Sequence, residues 1–402
     1  MTTTTARTTM ARPLFRSRIA VIAAFMVPGF VLGMYVVNIP AIKDNAGLTS
    51  GTLGSVFVFG GVGAIIGNQI AGFASDRFGS RAVTLFGAVL TCVAVVFPSV
   101  ATSPFSLAPL LLLLGMGVGS IDVGMNQQAV TLQKAYGRPI MASFHAFYSL
   151  GGALGAVIGA GVLVLRWPLG WALIAAGAIG LVFTVVAATG LVRDSDAVSH
   201  APSADSTDPT SAPAPAVSPR NLLRIVLLMG VTALLLMLSE GVANDWSALQ
   251  LRQRLGEPPA VAAFGYGAFA VSMLVARLFG DRLAGRLGAV RTVRLGSLIG
   301  VVGLATIVLS DNLVLTVIGW GVLGLGLSGC VPQIFTAAGN LPFGARGVSM
   351  SRVVALGYFG LLAGPAVIGW TSQATTISLA LIIPLVCCLA AAALAGVVRP
   401  RV

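Results

Sequence analysis

The sequence predicts an all-α integral membrane protein, with twelve transmembrane helices forming two pseudo-symmetric six-helix bundles. Three observations predict it: a shortage of charge, long uninterrupted apolar runs, and a repeat that relates the halves. Only 9% of the 402 residues are charged and 56% are hydrophobic. Soluble domains carry about a quarter charged residues. Several apolar runs exceed the roughly 18–20 residues that cross a bilayer, so lipid is the solvent for most of the chain.

Spans are predicted near 18–40, 50–73, 81–101, 105–130, 140–164, 168–192, 221–247, 259–279, 290–310, 312–338, 348–372 and 375–398. Residues 1–17 form a basic, Thr-rich tail, and the first apolar run is too long for the core of a signal peptide, so it is read as a retained helix. Residues 193–220 are rich in Pro, Ser, Ala and Asp. They have too little apolar surface for a core, which predicts a disordered cytoplasmic linker between bundles 18–192 and 221–398. Residues 399–402 form the C-terminal tail.

The net charge of +12 does not point to nucleic acid, because of where the cations fall. Twenty of the 24 Lys and Arg, Arg277 among them, are assigned to one set of alternating connections. Only Lys43, Arg166, Arg252 and Arg254 belong to the other set. This is the positive-inside pattern, with both termini cytoplasmic and an even number of spans. Cys92, Cys330, Cys387 and Cys388 lie in apolar spans without metal-ligand spacing, so packing is their expected role.

A displacement of about 209 residues pairs Arg77 and Gly79 with Arg286 and Gly288, and Gly87 with Gly296. It also pairs Gly115 and Gly117 with Gly324 and Gly326, and Gly151 and Gly155 with Gly360 and Gly364. The segment Gly72-Phe-Ala-Ser-Asp76-Arg77-Phe-Gly79-Ser-Arg81 then carries a more specific signal. It resembles the signature loop of the major facilitator superfamily, whose two six-helix repeats match this organisation. The resemblance implies gating roles for Gly72, Asp76, Arg77, Gly79 and Arg81, with Arg286 the counterpart of Arg77. In that family the loop aspartate latches the cytoplasmic ends of helices from the two halves. The second-half version, Gly280-Asp281-Arg282-Leu-Ala-Gly285-Arg286-Leu-Gly288, is partly degraded.

Within the superfamily the chain resembles the fucose-permease-like branch and related bacterial membrane proteins. The similarity is clearest in Gly115-Met-Gly117-Val-Gly119-Ser-Ile-Asp122-Val-Gly-Met-Asn126, in the stretch from Arg138 to Gly152, and in Ser239-Glu240-Gly241-Val-Ala-Asn244-Asp245-Trp246. The first segment is not read as a nucleotide loop, since it lies inside an apolar helix and its glycines suit close helix packing. The resemblance implies a secondary transporter of the bacterial inner membrane, and an acid matching Asp122 takes part in proton coupling in that branch.

The residues themselves give a concordant reading. Asp122 is an intramembrane carboxyl, a costly placement that marks functional interiors. Asn126 follows one turn later on the same face. His145, early in the next span, falls at a neighbouring depth and is a residue able to change charge near neutral pH. These three form the expected coupling group. At the shifted register Asp122 and His145 meet Val331 and Val354, so the group belongs to the first half alone.

Tyr35, Asn38, Gln127, Tyr148, Glu240, Asp245, Trp246, Gln333 and Tyr358 are the candidate solute contacts, with Asn68, Gln69 and Asn340 as further polar span residues. Helix-to-helix hydrogen bonding is the competing role for each. The sugar symporters carry a further acid at the position of Val36, which this chain lacks. The expected activity is proton-coupled movement of a small polar solute, a sugar or polyol first, with export of a metabolite or drug as a second reading. No nucleophile with its base, phosphate loop or metal pattern is present, so no enzyme, cofactor or metal is expected. The expected partners are the solute, protons and the lipid bilayer, with the monomer as the working unit.

Overall fold

The computed structural model describes residues 3–48, 50–192, 219–257, 259–341 and 346–400. The linker predicted at 193–220 lies outside them except for its last two residues. Among the described residues the regular structure is helical throughout. The first half holds α1 (Thr3–Val37), α2 (Ile39–Asn45), α3 (Ser50–Phe78), α4 (Ser80–Ala94), α5 (Pro104–Tyr136), α6 (Met141–Val164) and α7 (Leu169–Ala188). The second holds α8 (Pro219–Leu255), α9 (Pro259–Leu287), α10 (Ala289–Leu309), α11 (Leu313–Leu327), α12 (Cys330–Gly339), α13 (Arg346–Ala374), α14 (Ile377–Ala380) and α15 (Ile382–Leu394). Eleven helical stretches among the described residues are long and apolar enough to cross a bilayer. The 29-residue α9 packs among them as a further long helix, in keeping with twelve spans.

The repeat is physical. α3, α4 and α5 begin at Ser50, Ser80 and Pro104, and α9, α10 and α11 begin at Pro259, Ala289 and Leu313 in the same 209-residue register. Gly79 and Gly288 precede α4 and α10 with φ of 86° and 77°, a backbone region that side chains resist. Helix pairing repeats as well: α1 with α6 and α3 with α5 in the first half, α8 with α13 and α9 with α11 in the second.

Small residues set these distances. The helix α5 is wedged between α3 and α4, and a Cβ on Gly119 would collide with the Ala64 carbonyl, on Gly124 with Thr84. Gly360 and Gly364 let α13 lie against the carbonyls of Leu234 and Leu238, where Gly151 and Gly155 bring α6 against Met26 and Phe30. Apolar side chains offer little association energy in lipid, so close backbone packing of this kind holds the bundles together.

Three expected span boundaries change. The span predicted at 221–247 belongs to a helix that runs to Leu255, so Glu240 lies in mid-helix and not near its end. Arg254 in its last turn ties the surrounding loops, bonding Asp311 at 2.9 Å, the Val308 carbonyl at 2.6 Å and the Ser378 hydroxyl at 2.6 Å. The span predicted at 312–338 is broken into α11 and α12 at Ser328-Gly329, whereas its repeat mate α5 is continuous. The first span breaks at Asn38, which separates α1 from α2.

Gly119→Ala should lower stability by about 1–3 kcal/mol, the usual cost of overpacking, while Gly161→Ala, which meets open space, should be near neutral. Thermal unfolding of the two variants in the same detergent separates a packing constraint from a general intolerance of substitution.

Candidate functional site

The two halves meet chiefly along two seams, α3 against α13 and α9 against α6, and these are related by the repeat. Each seam closes at one end with the same device. A helix N-terminus leaves its first N–H groups unpaired, and a carboxylate there also meets the positive end of the helix dipole. At the end of α3, Asp76 accepts from the Gly347 N–H at 2.7 Å and the Val348 N–H at 3.1 Å, capping α13 of the other half. Near the end of α9, Asp281 accepts from the Ala142 N–H at 2.8 Å and the Ser143 N–H at 3.0 Å, capping α6. Gln133 takes the remaining N–H groups of Ile140 and Met141.

Donors and acceptors of the two clasps correspond at a shift of 205 residues, four fewer than the helix register. Asp281 therefore lies one helical turn, about 6 Å, nearer the middle of its helix than Asp76. Its target helix is shorter by the same turn: Ala142 stands nine residues before Gly151, Gly347 thirteen before Gly360. The sequence reading named the segment from Gly280 as the second-half version of the loop, but by matching Arg77 to Arg286 it gave Asp281 no part in the clasp. The signal was present in the shared Asp-Arg pairs 76–77 and 281–282.

The other residues of the signature loop have distinct placements. Gly72 lets α3 approach Ser351 and the Gly347 backbone. Arg77 is exposed and lies over the Phe78 ring at 5.5 Å. Arg81 donates to the Ala188 carbonyl at 3.0 Å, joining α4 to the end of α7 within the first half. Arg286 is exposed on the last turn of α9.

Deeper in the bundle lie the polar span residues. On α5, Asp122 is 6% exposed and Asn126 is fully buried. The Asn126 amide donates to the Asp122 carbonyl at 2.8 Å and its Oδ1 at 3.2 Å, leaving Asp122 Oδ2 and Asn126 Oδ1 without partners. One residue on, Gln127 accepts from the Ser75 hydroxyl of α3 and keeps its Nε2 free. His145 on α6 is held by rings, edge-on to Phe25 at 5.2 Å and tilted against Phe335 at 6.0 Å between centroids. Its Nε2 has no hydrogen-bond partner. No hydrogen bond joins Asp122 to His145.

The residue that sequence reasoning misplaced is Arg277. Assigned there to a charged connection, it is 7% exposed within α9, at the register position of the buried Asn68. Its guanidinium reaches three ways: to the Ser149 hydroxyl of the first half at 2.8 Å, to Glu240 of α8 at 3.5 Å, and to the Ser328 carbonyl at 3.5 Å. The last contact has a local cause. An intact helix would pair the Ser328 carbonyl with the N–H four residues on, but that residue is Pro332, which has none. The broken helix thus supplies an orphan acceptor, and Arg277 takes it. A charged residue preceded by a long apolar run was the available signal.

The remaining candidates divide. Tyr148 shares α6 with Ser149, and Tyr358 occupies the register position of Ser149 on α13, so both border the inter-half seams. Tyr35 and Asn38 are buried at the end of α1, where the Asn38 amide donates to the Met34 carbonyl at 2.9 Å. Asp245 is exposed on α8, and Trp246 packs near Gly369. Gln333 stands apart: with Lys134, Thr336, Asn340 and Arg399 it lines a cavity of 320 Å³. Among the described residues no cluster of His, Cys, Asp or Glu has the makings of a metal site.

The family profile described as Major Facilitator Superfamily matches residues 21–243. An uncharacterised MFS-type transporter of Yersinia pestis is 32% identical, the alignment covering 92% of each chain. The Escherichia coli fucose:proton symporter FucP superposes with a TM-score of 0.72 at 14% identity, over 96% of this chain and 99% of that one. The proton:xylose symporter XylE gives 0.72 at 14% identity, over 95% of both chains. At these identities the structural likeness is one of fold.

Each clasp aspartate contributes charge-assisted hydrogen bonds worth about 1–2 kcal/mol. Asp76→Asn or Asp281→Asn should therefore raise alkylation of a cysteine placed at Ser351, which is buried in the α3–α13 seam, by roughly fivefold to thirtyfold. Unchanged labelling in both variants would show that the caps do not hold that end closed.

Proposed function

Because this chain belongs to the Major Facilitator Superfamily, we propose that it is a proton-coupled secondary transporter, carrying a small polar solute by alternating access. An uncharged sugar or polyol is the solute we put first, and Asp122 is the coupling carboxyl. The observation that carries this reading is Asp122 Oδ2, a buried carboxylate oxygen without a partner inside a membrane bundle. Such an oxygen is costly when ionised and is relieved by a proton or by a solute hydroxyl. Those two forms of relief alternate in a carrier that couples solute to protons.

The neighbouring open groups suit the same task. Asn126 Oδ1 and His145 Nε2, with Gln127 Nε2 and both polar atoms of Asn68, offer acceptors and donors to a hydroxyl-bearing molecule. Tyr148, Tyr358 and Glu240 complete the proposed solute contacts. The fold shared with fucose:proton and proton:xylose symporters supports a proton-coupled carrier of this kind.

We place the clasped end at the cytoplasmic face of a bacterial inner membrane, where the cations gather. The arrangement with both clasps made is then the outward-facing state. From Glu240, exposed Asn244 and Asp245 lead along α8 toward the opposite end, the direction from which solute enters. Asp122 is protonated in one state and ionised in the other, and no covalent chemistry is assigned to the chain.

Asp122→Asn should insert and fold normally, yet lose accumulation of uncharged sugars and polyols driven by a proton gradient in energised vesicles. Counterflow without a gradient should persist. Accumulation equal to that of the unaltered protein would remove Asp122 from the coupling role.

A further inference from the structure

The pair of partly buried Glu240 and buried Arg277 has a charge arithmetic that the coupling group does not use. Arg277 is the cation that crosses the α9–α6 seam, with Ser149 of the first half on one side and Glu240 of the second on the other. The Glu240–Arg277 contact is long, at 3.5 Å, and the two side chains keep 20% and 8% of their exposure. Glu240 lies in mid-helix, with Gly241 packed on α13 and Ser239 on α15 to either side. Its residual exposure therefore opens into the interior and not onto lipid. The guanidinium has five N–H donors, and its three contacts leave two of them spare.

We infer that Glu240 is the residue that makes the proposed solute site reject anions, by standing as a built-in carboxylate on Arg277, and that Arg277 in turn cancels Glu240 toward cations. This rests on the proposed reading of the inter-half seam as the solute site, and it adds a rule for the charge of the solute. An anionic solute competes with Glu240 for the guanidinium. If it wins, it leaves a carboxylate buried and unpaired, a cost of the kind that makes half-broken buried pairs strongly unfavourable. A neutral hydroxylated solute accepts from the spare N–H groups without breaking the pair. The pair thus lets a cation serve as a hydrogen-bond donor while adding no net charge of its own to the site.

The rule makes opposite forecasts for the two partners. Glu240→Gln keeps the shape and frees the guanidinium. Arg277→Gln removes the cation and leaves Glu240 uncompensated. Three probes share a six-carbon hydroxylated skeleton and differ at one end: sorbitol, gluconate and glucamine, which are neutral, anionic and cationic. Binding is read by thermal shift of the purified full chain, with salt matched across probes.

Glu240→Gln should bind gluconate about tenfold more tightly than the unaltered protein does, the effect of one hydrogen bond to a charged group. Adding Arg277→Gln should erase that gain. Arg277→Gln alone should shift preference toward glucamine by a similar factor, so the inference remains testable if one variant folds poorly. Folded variants in which neither charged probe gains would overturn it, and so would tight gluconate binding by the unaltered protein. A failure of that protein to bind or accumulate any uncharged polyol would sink the solute reading instead, since the charged-probe gains are measured relative to it.

Discussion

A bilayer offers no water to a backbone N–H or carbonyl in its core, so each such group must find its partner inside the protein. The arrangement of this chain follows from pairing the free groups at three places where helices stop, one inside the bundle and two at its clasped end. At the start of α13 and of α6, the free N–H groups are taken by aspartates from the opposite half. At the break between α11 and α12, the carbonyl orphaned by Pro332 is taken by Arg277. In each case a helix end in one unit is completed by a side chain from another helix, and at the two N-termini the completion spans the halves. The same need that shapes the helices thereby also joins the halves.

The two halves share a scaffold and differ in polar content. Their helices begin in one register, and their glycine contacts repeat from α1–α6 to α8–α13. Within that frame Asp122 and Asn126 sit on a continuous α5, while the corresponding α11–α12 carries a break and no carboxyl. Arg277 occupies the register position of Asn68, and Ser149 that of Tyr358. At this depth one seam is therefore bridged by a charged side chain, while in the other Asn68 has both polar atoms unpaired. Symmetry sets where the polar layer falls, and its departures set what each position does.

Much of this was legible in the sequence, for identifiable reasons. Apolar length and glycine spacing are local properties, so the spans, the repeat and the packing role of Gly115, Gly117 and Gly119 could be read directly. The loop around Asp76 carries enough fixed positions to stand out. Arg277 and Asp281 did not, because a cation or an acid near a predicted boundary looks the same whether it faces solvent or the interior. Their separation by one turn placed both in what read as a charged connection. The break at Ser328 was signalled by Pro332, yet proline alone does not distinguish a kink from a stop. Gln333 read as a site residue on polarity, and its separate cavity depends on neighbours from distant segments.

The four-residue displacement between the two clasps has a mechanical meaning. Rigid rocking about an axis in the mid-bilayer moves each point in proportion to its distance from that axis. The Asp76 contact, one turn farther out, is stretched further by a given rotation than the Asp281 contact. Two fasteners of equal chemistry are thus mounted on lever arms of unequal length. In the proposed rocking motion both would be stretched together, but the outer would reach its breaking distance at a smaller rotation than the inner, so the load would be released in two stages.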